Sequence, residues 1–260
     1  MLAVLRLAKG RTKAAHPVRY GIISDIHGNI EALTASLKSL ENERIDAYMC
    51  LGDIVGYGAN PDECIDIVRS RVKACIVGNH DAAVCGRMDY SYYYDAARHA
   101  LDWCKDRVTP GNMGWLRELP YKVTEGDVDF CHGSPVCPEE FEYVFTKEKA
   151  KELIKFRDQL NWVTFIGHSH LTRSFALSAD DAYNVKGPEF VVRKDFKYII
   201  TVGSVGQPRD YDPRSCCAVF DTETCVFKYV RSEYNIEAQM KKIIDAGLSY
   251  NFGARLLVGI

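Results

Sequence analysis

Five short stretches of the sequence place side chains that bind metal ions next to a glycine. They are Asp25-Ile26-His27-Gly28, Gly52-Asp53, Gly78-Asn79-His80-Asp81, His132-Gly133 and Gly167-His168-Ser169-His170. Imidazole and carboxylate donors without thiolates suit Zn, Mn, Fe, Ni or Co. The eight candidates are Asp25, His27, Asp53, Asn79, His80, His132, His168 and His170. Because eight donors are too many for one ion, the set indicates two ions that share a carboxylate, with one residue left for acid–base chemistry.

Any one of these histidines, taken alone, is more simply explained as a hydrogen-bonded residue of the core or of a loop. That explanation is weak for the whole set, which holds five of the seven histidines of the chain. Polar groups crowded together without a shared partner cost free energy when they are buried. The adjacent glycines fit a crowded site, since glycine allows a positive φ and a close approach of the backbone.

Each of the five stretches follows an apolar run that is typical of a buried β-strand. The runs cover residues 18–24, 46–52, 73–79, 127–131 and 162–166. In open α/β sheets, ligands bind at the carboxyl ends of the strands. We therefore expect the candidate donors to meet at one edge of the folded chain.

The segments between the first three strands have the period of amphipathic helices. The apolar face of the first is formed by Ile30, Leu33, Leu37 and Leu40. Asn29 is placed to cap this helix, and Asn60 followed by Pro61 marks the start of the second. Alternation of strands and helices predicts right-handed crossovers and a parallel sheet.

The rest of the chain predicts further helices and a strand-rich second half. Helices are expected at 92–106, at 111–119, near 147–159 and from Asn235 to Gly247. Strands are expected at 121–124, 171–177, 197–202, 216–221 and 225–230, with a hairpin turn at 221–224. We expect one domain over residues 17–260. Residues 1–16 read as an extension, because their apolar stretch is interrupted at Arg6 and is too short for a signal peptide or a membrane span.

Composition argues against several classes of partner. The chain has 33 Lys and Arg against 35 Asp and Glu, so it lacks the basic excess of a nucleic-acid binder and a cationic face for a membrane. Its ten cysteines include no Cys-x-x-Cys pair, and several lie in apolar runs. Scattered cysteines in a chain of this size fit free thiols in a reducing compartment, so we expect a cytoplasmic protein.

Taken in order, the five stretches resemble the signature of the calcineurin-like metallophosphoesterase superfamily. The resemblance covers roughly residues 18–231, and the stretches 109–120 (TPGNMGWLRELP) and 203–215 (GSVGQPRDYDPRS) further resemble a bacterial and archaeal branch of small phosphoesterases. The resemblance implies an α/β fold with four layers, an α/β/β/α sandwich of two mixed sheets flanked by helices.

The resemblance also implies a role for each candidate residue. Asp25, His27 and His170 would bind one metal ion, and Asn79, His132 and His168 would bind a second. Asp53 would bridge the two ions. Asn79 and His80 would contact the substrate phosphate, and His80 would protonate the leaving oxygen. The implied cofactors are two divalent ions, with manganese expected first and iron, zinc, nickel or cobalt as alternatives.

The implied function is hydrolysis of phosphodiester or phosphomonoester bonds by a hydroxide held between two metal ions. Protein Ser/Thr phosphatases of the superfamily carry the sequence GDxVDRG, whereas this chain has GDIVGYG at 52–58. Gly56 replaces an aspartate that would orient the general acid, and Tyr57 replaces an arginine that would grip phosphate. The difference favours small phosphodiester or nucleotide-type substrates. A phosphoprotein phosphatase, a nuclease and a non-catalytic metal-binding scaffold stay as alternatives, and the oligomeric state stays open.

Three further features near the signature have both a functional and an ordinary interpretation. Arg209 is a candidate phosphate clamp, because guanidinium binds phosphate through two hydrogen bonds. Four tyrosines, Tyr90, Tyr92, Tyr93 and Tyr94, would either line a pocket or begin an amphipathic helix, and we expect the helix. Asp81 would either cap the helix after its loop or orient a ligand histidine, and we expect the cap.

Overall fold

Residues 17–260 are described by a computed structural model, and within them the chain forms two six-stranded β-sheets flanked by helices. The strands are β1 Arg19–Ile23, β2 Ala47–Cys50, β3 Ala74–Cys75, β4 Lys122–Glu125, β5 Val128–Cys131, β6 Val163–Ile166, β7 Ser174–Leu177, β8 Ala182–Val185, β9 Glu189–Val191, β10 Lys197–Thr201, β11 Ser215–Asp221 and β12 Val226–Ser232. The predicted extension, residues 1–16, lies outside the described residues.

The helices are α1 Ile30–Glu41, α2 Pro61–Arg71, α3 Asn79–Val84, α4 Asp95–Lys105, α5 Pro110–Glu118, α6 Lys147–Glu152, α7 Ile236–Asp245 and α8 Tyr250–Ala254. Short 3-10 helices cover Pro138–Glu140, Leu153–Gln159 and Arg255–Leu257. No helix of residues 17–260 is both long and apolar enough to cross a membrane.

Both sheets are mixed. The first has the strand order β3-β2-β1-β11-β12-β9, in which β1, β2 and β3 are parallel and β11 pairs antiparallel with β1. The second has the order β4-β5-β6-β10-β7-β8, with β6 parallel to both β5 and β10. This arrangement confirms the predicted fold class.

The main core lies between the two sheets. Phe165 of β6 contacts Phe220 of β11 and Phe227 of β12, with ring centroids 5.3 Å and 5.7 Å apart. A second core forms where α1, α2 and α5 cover the outer face of the first sheet, and it includes Leu33 and Leu40. These apolar faces bury most of the strands on both sides. Burial fixes the register of each strand and therefore the position of the loop that follows it.

The predicted helix starts and ends are largely confirmed. The Asn29 side chain accepts a hydrogen bond from the backbone N–H of Ala32, as the cap of α1 should. Asn60 holds the N-cap position of α2, but its side chain donates to Glu63 instead of capping the backbone. Gly247 follows the last residues of α7 at a φ of 73°.

Several local predictions are wrong. The helix expected at 92–106 begins only at Asp95, so Tyr92, Tyr93 and Tyr94 precede it. The helix expected near 147–159 is α-helical only to Glu152 and continues as a 3-10 helix. No pattern in the sequence predicted β8 or β9, which are short, largely exposed edge strands. The C-terminal residues pack on their own chain, where Phe252 and Leu256 are buried beside Tyr57.

Candidate metal centre

Seven of the predicted donors meet where the loops after β1, β2, β5 and β6 come together with the start of α3. Donor group 1 consists of Asp25, His27, Asp53 and His170, and each residue offers an atom within 4.8 Å of the others. Donor group 2 consists of Asp53, His132 and His168, which meet the same limit, together with Asn79. All seven are buried.

The backbone is strained where it presents these donors. Five of the seven lie in the left-handed region, which is uncommon for residues other than glycine. They are Asp25, His27, Asp53, His168 and His170, with φ between 50° and 64°. Such positions cost about 1–3 kcal/mol each and cluster at functional sites. The strain supports a site in which the direction of each side chain matters more than local stability.

Two glycines let the loops close on the carboxylates. A Cβ atom at Gly78 would lie 2.1 Å from Oδ1 of Asp53, and one at Gly167 would lie 2.6 Å from Oδ2 of Asp25. No side chain other than hydrogen fits at either position. The glycines of the motifs therefore serve the close approach that their spacing predicts.

Hydrogen bonds fix the tautomer of three histidines. Nδ1 of His27 lies 3.0 Å from the Val55 carbonyl, Nδ1 of His132 lies 2.6 Å from that of Leu51, and Nδ1 of His170 lies 2.6 Å from that of Gln207. A carbonyl oxygen can only accept, so each Nδ1 carries the hydrogen and donates. In the neutral rings Nε2 is then an unprotonated lone pair that points into the cluster, as metal-binding histidines require.

Two of these lone pairs face each other at short range, because the neutral rings of His27 and His170 bring their Nε2 atoms to 3.1 Å. Nε2 of His132, whose raised pKa keeps a proton on the ring, lies 3.1 Å from Oδ1 of Asn79. Neutral acceptors at this separation repel each other unless a proton or a cation lies near both. The donor set therefore fits positively charged ions, and the ring nitrogens are already oriented for them.

Asp53 lies between the two groups. Its Oδ2 is 3.6 Å from Nε2 of His27 and 3.3 Å from Nε2 of His132. Its Oδ1 accepts a hydrogen bond of 2.8 Å from the backbone N–H of His80, which leaves Oδ2 for both groups. This is the position that a bridging carboxylate needs.

The shifted pKa values of the donors indicate that their cluster lacks positive charge. Burial raises the pKa of Asp25 to about 7, against the opposing effect of His132. Burial lowers the pKa of His27 and of His170 well below the usual range, so both rings stay neutral. Burial also opposes protonation of His132, but the Asp53 carboxylate outweighs it and raises the pKa of His132 to about 10. Protons thus occupy places that divalent ions would take.

Comparisons with known proteins agree with this geometry. A statistical model of the calcineurin-like phosphoesterase family matches residues 18–203. The chain belongs to the calcineurin-like phosphoesterase family. An uncharacterised protein of Methanocaldococcus jannaschii is 36% identical over 242 residues, which is 92% of this chain and 97% of that protein.

Two solved structures share the whole architecture of this chain. A metallophosphoesterase from Sphaerobacter thermophilus is 32% identical and superposes with a TM-score of 0.81, covering 94% of this chain and all of that one. A hypothetical protein of Pyrococcus horikoshii has the same fold, with a TM-score of 0.74 at 19% identity over 94% of this chain and 99% of its own. The predicted family and its bacterial and archaeal branch are thereby confirmed.

The predicted general acid, His80, lies beside the donors but in neither group. Its ring centroid is 4.5 Å from that of Tyr57, and its Nδ1 is buried without a hydrogen-bond partner among the described residues. A Cβ atom at Gly56 would lie 2.3 Å from this Nδ1. The ring is thus held by packing, and the backbone leaves no room for a carboxylate at position 56.

Two residues that support the site were not predicted to do so. The hydroxyl of Tyr93 accepts a 2.8 Å hydrogen bond from Nδ2 of Asn79, which turns the amide oxygen Oδ1 towards His132. Gln207 accepts from His170 at its backbone carbonyl and from Arg209 at its side chain. Neither residue belongs to the five metal-binding stretches, so only spatial proximity assigns this supporting role.

Asp81 caps α3, as predicted, and also joins two motif loops. Its Oδ2 accepts from the backbone N–H of Gly78, and its Oδ1 accepts from those of Ile54 and Val55. It therefore fixes the loop that carries Asp53 against the loop that carries Asn79. It makes no hydrogen bond to a ligand histidine.

Proposed function

We propose that this protein is a phosphoesterase that uses two divalent metal ions, one in each donor group, with Asp53 shared between them. The observation that carries the proposal is that Asp53 belongs to both donor groups, beside the unprotonated Nε2 atoms of His27 and His170 held 3.1 Å apart. When bound, two divalent ions would neutralise the phosphate charge and lower the pKa of an attacking water. We expect manganese first, with iron, zinc, nickel or cobalt as alternatives.

The charges of the chain's own residues suit an anionic substrate. Asp25 and Asp53 contribute two negative charges to the groups, whereas Asn79 contributes an oxygen without a charge. Two divalent ions would therefore leave the site positive, which favours a phosphate and its transition state. A third carboxylate at position 79 would weaken that attraction.

His80 and Arg209 act on the substrate in this proposal. The His80 ring lies 4.8 Å from the His27 ring of donor group 1 and lines the same cleft as Asn79 and His168 of donor group 2. From there it protonates the leaving oxygen as general acid, an effect worth about 10²–10⁴-fold in rate. The half-buried Arg209 guanidinium is held by Gln207 at 2.8 Å and contacts a phosphate oxygen. Both roles rest on their place beside the donors.

The natural substrates are small phosphodiesters or nucleotide-type esters in this proposal. Tyr57 stands where the protein phosphatases of the superfamily have a phosphate-binding arginine, and its ring packs on His80 and His27. Because position 57 holds no arginine, the site has one cationic side chain fewer to bind the second negative charge of a monoester. We therefore expect it to prefer the singly charged diester. The same difference disfavours a phosphoprotein substrate.

Hydrolysis assays test the proposal directly. Metal-stripped protein is supplied with Mn²⁺, Ni²⁺, Co²⁺ or Zn²⁺ and assayed with bis-p-nitrophenyl phosphate and p-nitrophenyl phosphate. We expect turnover with at least one ion, a higher kcat/KM for the diester, and none without metal. Absence of turnover with all four ions would favour the alternative of a metal-binding scaffold without catalysis.

A further inference from the structure

A cleft lined by aromatic rings opens beside donor group 2. Its volume is about 390 Å³, near the lower end of the roughly 300–1,000 Å³ typical of ligand pockets. Asn79, His80 and His168 form its inner end. The cleft therefore continues directly from the place where His80 would meet the leaving oxygen.

Two loops supply the aromatic walls. One wall is the segment 92–94, which the structure places before α4, and the other includes Phe141 and Tyr143. The ring of Tyr143 stacks on His168 with centroids 3.7 Å apart and planes 14° apart. Tyr92 is 73% exposed and Tyr94 is 57% exposed, so broad ring surface is available at the mouth.

The charge of the cleft is as distinctive as its rings. No lysine or arginine of the described residues lines it, and its one acidic residue is the exposed Glu140 at the rim. A second phosphate placed in this cleft would find no lysine or arginine among the lining residues and would face a carboxylate. A planar uncharged group would meet no electrostatic repulsion there. It would stack on the tyrosine faces, which bind any nucleobase through its π-face.

We propose that this cleft binds the nucleoside of the substrate, joined to the scissile phosphate and to no further phosphate. The enzyme then acts on diesters of nucleoside monophosphates and discriminates against polyphosphate chains. The inference rests on the proposed hydrolysis, because the cleft is defined by its position beside His80 and donor group 2.

A pair of diesters that differ only in the base tests this specificity. Adenosine 5′-monophosphate methyl ester and ribose 5-phosphate methyl ester contain the same scissile bond, and chromatography measures their cleavage by the metal-loaded protein. We expect at least a tenfold higher kcat/KM for the adenosine ester. We also expect diadenosine tetraphosphate to be cleaved at least tenfold more slowly than that ester. Equal rates for the two methyl esters, or preference for the tetraphosphate, would overturn the proposal.

A matched pair of variants locates the effect. Tyr92→Leu removes an exposed ring of the cleft that contacts none of the proposed ligands, and we expect the preference for the adenosine ester to fall at least threefold. Tyr183→Leu removes an exposed ring on β8 that does not line the cleft, and it should leave the preference unchanged. An unchanged preference in Tyr92→Leu would contradict the assignment.

Binding separates this inference from the proposed function. Equilibrium dialysis compares adenosine 5′-monophosphate with ribose 5-phosphate on metal-loaded protein, and it needs no turnover. If no diester is hydrolysed but the adenosine compound binds at least tenfold more tightly, then the hydrolysis fails and the nucleoside site stands. If bis-p-nitrophenyl phosphate is hydrolysed but the two ligands bind equally, then the nucleoside site fails alone.

Discussion

Donor groups 1 and 2 share Asp53 but differ in charge and in access. Group 1 has a carboxylate of its own, Asp25, and its residues are at most 2% exposed. Group 2 has the neutral Asn79 in the corresponding place. Asn79 and His168 are 5% and 7% exposed, and both line the aromatic cleft. One group is closed and more negative, and the other opens towards the aromatic cleft.

This difference predicts a division of labour between the groups. A divalent ion gains more from group 1, where two carboxylates and two neutral imidazoles surround it. An ion in group 2 is held less strongly and lies where a substrate phosphate can reach it. We therefore expect two steps of metal binding, with the tighter step at group 1.

The largest loss of metal binding and activity is expected from a change at Asp53, which both donor groups share. Asp53→Asn keeps the shape of the side chain but removes the shared charge, so both ions should be lost and kcat/KM should fall at least about 10⁴-fold. Metal analysis of the dialysed protein together with the diester assay measures this. Asp46→Asn, an exposed aspartate outside the site, is the control. Normal metal content in Asp53→Asn would show that Asp53 does not bridge.

A smaller loss of activity is expected from a change at His80, beside the aromatic cleft. His80→Ala removes the proposed general acid but no member of either group, so kcat should fall about 10²–10⁴-fold while metal content stays normal. Substrates with better leaving groups should lose less, because they need less protonation. A uniform loss for all leaving groups would argue against this role.

A change confined to donor group 2 should weaken only one of the two metal-binding steps. Tyr93→Phe removes the hydroxyl that accepts from Asn79, so Oδ1 of the amide is no longer held towards His132. We expect the weaker metal-binding step to lose about 10–100-fold in affinity, the usual range for partners of metal ligands, with the tighter step unchanged. Calorimetric titration resolves the steps. Tyr90→Phe is the matched control, since Tyr90 bonds to Asp102 outside the cluster.

The smallest effect is expected from equalising the charges of the groups. Asn79→Asp gives group 2 its own carboxylate, so its ion should bind about tenfold more tightly, the change that ~1.4 kcal/mol produces. The rate should fall at saturating metal, because the added charge opposes the phosphate. Faster turnover in this variant would contradict the argument for a neutral residue at position 79.

The spacing of polar residues after apolar runs predicted where the donors would meet. A strand ends where its apolar pattern ends, and the carboxyl ends of parallel strands share one edge, so Asp25 and Asp53 had to be neighbours. Pairing of β1 with β11 was beyond such reasoning, since Arg19 and Asp221 are far apart in the chain and no local pattern selects the partner.

The supporting residues could not be predicted for the same physical reason. Tyr93 reaches Asn79 only because the segment before α4 folds back over α3, and Gln207 meets His170 across two loops. The helical period around residue 92 also suggested an earlier start of α4, whereas Tyr92, Tyr93 and Tyr94 remain outside it and line the cleft. Tertiary packing decided both outcomes over local propensity.

Anomalous diffraction from crystals soaked with Mn²⁺ counts and locates the bound ions. We expect two separate peaks in each protein molecule, one inside each donor group, with Asp53 between them. A single peak, or peaks that do not contact Asp53, would contradict the proposed pair of ions and the chemistry assigned to it.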